Sequence, residues 1–99
     1  MFKETALTWI TELEKAGKLK EQDTTARDQL ADDYARRLEE IFNQEVTRQL
    51  EPLGKAAEFE RMLLYDSQYT HKYLNQTIPS YYGFRAEIFN KARKIILGE

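Results

Sequence analysis

The sequence predicts an all-α fold, a four- to five-helix bundle around one long central helix over about residues 23–50. Three observations predict it. Apolar residues Leu30, Ala31, Tyr34, Leu38, Ile41, Phe42 and Val46 recur at steps of three and four, the period of a helix. Only four glycines and two prolines punctuate the 99 residues, which suits long helices rather than a many-stranded sheet. The 32% charged residues mix both signs, as solvated helix faces do, while 41% apolar residues suffice for a core. This length fits one helical domain, residues 1–99.

In the first helix, about residues 2–16, Phe2, Ala6, Trp9, Ile10, Leu13 and Ala16 share one face, and Gly17 supplies a C-terminal stop. Trp9 is the expected core anchor, and Leu7 lies off the stripe. A charged connection, Lys18 to Gln22, leads to the central helix. Asp23 is a suitable N-cap there, and Pro52 bars continuation beyond Leu50. On the outer face of this helix, Asp32–Arg36 and Asp33–Arg37 stand at the i, i+4 spacing of helix ion pairs. A heptad frame through Ala31, Ala35, Leu38 and Phe42 turns polar at Glu45 and Gln49, too early for a zipper.

A third helix is expected over about Lys55 to Tyr65, with Ala56, Phe59, Met62 and Leu63 inward. Asp66 or Ser67 can cap a short fourth helix of about Gln68 to Gln76, with Tyr73 and Leu74 inward and Ile78 following. Pro79 breaks it, and Ser80 is the expected N-cap of a last helix over Tyr81 to Leu97. There Tyr81, Phe84, Ile88, Phe89, Ala92, Ile95 and Ile96 form a wide apolar arc, enough for packing on one side and a partner on the other.

Two charges interrupt apolar faces. At 100° per residue, Glu45 falls within about 20° of Leu38. The same construction puts Arg85 between Ala92 and Ile96. A lone buried charge is costly, so each needs a partner or a route to solvent. Two arrangements satisfy this: Arg85 snorkels outward while Glu45 sits near the end of the core, or the two face each other.

Composition narrows function by exclusion. No cysteine is present, which removes disulfides, thiolate metal sites and cysteine nucleophiles. Neither HExxH, an EF-hand loop, a P-loop nor GxGxxG occurs. The single histidine, His71, has no carboxylate three or four residues away, and is expected at the surface. The sequence therefore points away from an enzyme and to no cofactor. It has no transmembrane-length apolar run and no signal-peptide core after Phe2-Lys3-Glu4-Thr5, so no membrane partner is expected and the expected location is cytoplasmic.

Two binding surfaces are candidates. Leu64, Tyr65, Tyr69 and Tyr82 lie off the main stripes, and tyrosine is enriched at protein interfaces, so these four mark a surface for another protein or a second copy. Tyr73 and Tyr81 are expected to pack, and in the competing reading the other tyrosines of this region only line the surface. Residues 67–99 carry five Lys/Arg against two Asp/Glu, so Arg85, Lys91, Arg93 and Lys94 of the last helix are an alternative surface for nucleic acid. Against that alternative, the N-terminal end of the helix is Tyr81-Tyr82-Gly83-Phe84, without base-reading side chains. The first 66 residues are acidic, ten Lys/Arg against fifteen Asp/Glu, so attraction between the two parts within the fold is a further use of the basic helix.

Over about residues 24–97 the order of features resembles a family of short, uncharacterised, all-helical bacterial domains. The resemblance is carried by Leu50-Glu51-Pro52-Leu53, then Glu58-Phe59-Glu60-Arg61-Met62-Leu63-Leu64, the acidic break at Asp66, the run Lys72-Tyr73-Leu74-Asn75-Gln76-Thr77-Ile78-Pro79-Ser80-Tyr81 and the closing Glu87-Ile88-Phe89. Members usually carry an acid where this chain has Ser80, and a more acidic last helix. The resemblance implies a helical fold and no established activity, and it assigns no functional residues.

Overall fold

A computed structural model describes residues 2–64 and 67–99. They form α1 (Phe2–Lys15), α2 (Thr24–Leu50), a 3-10 turn (Glu51–Leu53), α3 (Ala56–Met62), α4 (Ser67–Thr77) and α5 (Tyr81–Leu97), with no strand among them. The fold is all-α, with the long helix where the apolar period places it. The chain divides into two compact units, Met1–Glu40 and Ile41–Glu99, and α2 continues unbroken through the boundary.

In the first unit the ends of the helices are determined locally. Gly17 takes a left-handed φ of 71°, and its amide bonds the Glu14 carbonyl at 3.2 Å. The Lys18 amide reaches back to Leu13 at 3.0 Å, so the pair of bonds closes α1 as a Schellman motif. Asp23 starts α2 as expected: its Oδ1 accepts the Ala26 amide at 2.7 Å. Ala6, Ile10 and Ala31 are fully buried, with Leu7, Leu19, Leu30, Tyr34 and Ala35 packed against them. Trp9 is only 6% exposed.

The charge pairs in this unit differ from the sequence expectation. Asp32 and Asp28 both receive Lys3 Nζ, at 3.1 and 2.8 Å. Arg36 turns to Asp33 at 2.7 Å and to Glu40 at 3.4 Å. The i, i+3 and i, i+4 positions are near-equal neighbours on a helix, and a lysine from α1 competes for the carboxylates, so spacing alone does not choose. Glu14 accepts Arg27 Nε at 3.2 Å and the Gln22 amide at 3.4 Å, and Arg27 also donates to the Thr11 hydroxyl. Together these contacts tie the α1–α2 connection to α1.

In the second unit α2 buries Phe42, Val46 and Leu50, the later helices bury Phe59, Leu74, Tyr81, Ile88, Ala92 and Ile96, and Ile78 is buried just after α4. Pro52 sits in the 3-10 turn, after which Gly54 adopts φ 70° and the Lys55 amide bonds the Leu50 carbonyl at 3.1 Å. Helix α3 is shorter than expected. Its end tightens, with the Leu64 amide bonding Arg61 three residues back, and Leu63 is 42% exposed rather than inward. Ser80 precedes α5 but does not cap it with its side chain: at φ 54° and ψ 42° it is left-handed, whereas a capping serine needs the extended region to aim its hydroxyl at the following amides. Within the wide apolar arc of α5, Ile95 is 55% exposed.

Trp9→Ala should cost about 3–5 kcal/mol, as for a large aromatic side chain removed from a core. Urea unfolding of wild type and variant measures it, and a fluorescence quencher should leave wild-type Trp9 largely unquenched until the chain unfolds.

Candidate interaction surface and the α2–α5 clasp

Helix α5 is held to the C-terminal half of α2 by an aromatic contact and a charged one. Phe42 and Phe89 meet edge to face, ring centroids 6.2 Å apart and planes at 80°. Beside them Glu45 Oε1 accepts Lys91 Nζ at 2.7 Å and Arg48 Nη1 at 3.1 Å. Glu45 is thus the inward acid of the apolar face, 20% exposed at its side chain, and its carboxyl is held below the usual carboxylate range mainly by the Lys91 hydrogen bond. Its partner across the helices is Lys91 rather than Arg85. The Arg85 guanidinium carbon lies 4.4 Å from the centroid of the Phe89 ring, a cation–π placement that keeps the charge at the edge of the core.

Of the two arrangements open to these charges, the one in which Glu45 and Arg85 face each other does not hold, because Glu45 meets Lys91 and Arg48 instead. A helical wheel records the direction of Cβ, and a lysine stem is long enough to reach in from outside the arc. The remaining candidates for a nucleic-acid surface divide. Lys91 is engaged by Glu45, Arg93 Nε bonds the Glu99 carboxylate at 3.3 Å, and Lys94 is exposed.

Leu64, Tyr69 and Tyr82 are exposed at 80%, 70% and 70%, in agreement with their phase off the main stripes. Tyr65, the fourth of that set, and Asp66, the suggested cap, lie outside the described residues. Tyr82 packs beside Tyr81, centroids 5.7 Å apart, so its ring is supported from below while most of it faces solvent. Tyr81 is buried as expected, and Tyr73 is half-buried, its hydroxyl donating to Glu58 at 3.0 Å and so linking α4 to α3. An open groove of about 410 Å³ between α2 and α3 is bordered by Asn43, Thr47, Arg48, Glu60 and Leu63.

His71 is a correction. Instead of standing free at the surface it is half-buried, its Nδ1 hydrogen-bonded with the Tyr81 hydroxyl at 3.1 Å. Burial, with the nearby Arg85 charge second, pulls its pKa below the ordinary 6.5. Spacing within α4 does not reveal the link, because Tyr81 belongs to the next helix. Among the described residues no group of three or more His, Asp or Glu is placed to hold a metal ion. No described helix is long and apolar enough to cross a membrane.

Comparison with family models, with curated proteins and with solved structures returned no match.

Two measurements test this geometry. Because Lys91 is half exposed, the Glu45→Gln and Lys91→Met double-mutant cycle should give a coupling of only about 0.5–1 kcal/mol. Its sign follows from the depressed Glu45 pKa: the contribution is present above the ordinary glutamate value of 4.5 and is lost as pH falls through the lower folded value. His71, the one histidine, acts at higher pH. Its folded pKa is depressed, so the unfolded chain takes up the proton first as pH falls below 6.5, and stability declines from there to the folded pKa. The urea midpoint should fall as pH drops below about 6.5, and His71→Gln should flatten that part of the profile.

Proposed function

We propose that this protein is a small, non-enzymatic helical interaction module that binds another protein or a second copy of itself, working in the cytoplasm. The observation that carries the reading is the outward placement of Leu64, Tyr69 and Tyr82, three large side chains in the second unit that add little to its core. A tyrosine offers a broad apolar face at low conformational cost and a hydroxyl at its rim, which is why it recurs at binding surfaces. Support also comes from the engagement of the basic residues. Lys91 and Arg93 already bond carboxylates and Arg85 lies over Phe89, an economy that favours the protein partner over the nucleic-acid one.

The test is a pull-down from lysate with mass spectrometry, run beside sedimentation velocity of the purified protein. Tyr69→Ala and Tyr82→Ala should each weaken a captured interaction or self-association at least tenfold, the loss of about 1.4 kcal/mol or more expected at an interface anchor, with the urea midpoint little changed. An unchanged capture and sedimentation profile in the double variant overturns the reading. Capture of nucleic acid instead, with affinity falling steeply between about 50 and 200 mM salt, would transfer the function to Arg85, Lys91, Arg93 and Lys94.

A further inference from the structure

We draw no further inference here: the strongest candidate, the apolar surface at the end of α3 where exposed Leu63 and Leu64 adjoin the groove between α2 and α3, is an unpartnered face, and nothing in the structure shows what covers it.

Discussion

Helix α2 has to bury side chains in the separate cores of both units. Its 27 residues rise about 40 Å at 1.5 Å each, and no glycine or proline interrupts them. Ala31 closes the small core of the first unit, while Phe42, Val46 and Leu50 belong to the core of the second. The helix is bounded by the Asp23 cap at one end and by Pro52 and Gly54 at the other.

What stabilises each unit is apolar burial, and the polar contacts arrange it. Ile10, Leu38, Val46, Leu50, Phe59 and Leu74 are buried completely, each worth roughly 1.5–3 kcal/mol relative to exposure. Exposed ion pairs such as Arg36–Asp33 are worth about 0–1 kcal/mol. Glu45–Lys91 does more than its energy suggests. It lets an acid occupy the apolar face of α2 without being left alone, beside the Phe42–Phe89 contact.

The second unit mixes packed and unpacked aromatic residues within short distances. Tyr81 is sealed against His71 and Tyr73 is tethered to Glu58, whereas their neighbours Tyr82 and Tyr69 face outward. Tyr82 is engaged on one side by Tyr81 and open on the other, which restricts its ring and would lower the entropy lost if this face were bound. The reading of this unit as the interacting one rests on that contrast.

The sequence by itself determined what depends on neighbours along the chain: the helical class, the extent of α2 and α5, the Gly17 and Pro52 stops, the Asp23 cap, and the burial of Trp9. Period, capping and backbone restriction act within a few residues, so they are legible there. Phase alone also placed Leu64, Tyr69 and Tyr82 outside. Only the tertiary structure decided which charge meets Glu45, that His71 meets Tyr81, that Asp32 turns to Lys3, and that Ser80 leaves α5 without a side-chain cap. These depend on which helix lies alongside, on how far a flexible lysine can reach and on the backbone dihedrals forced at a turn, and none of the three is encoded in spacing.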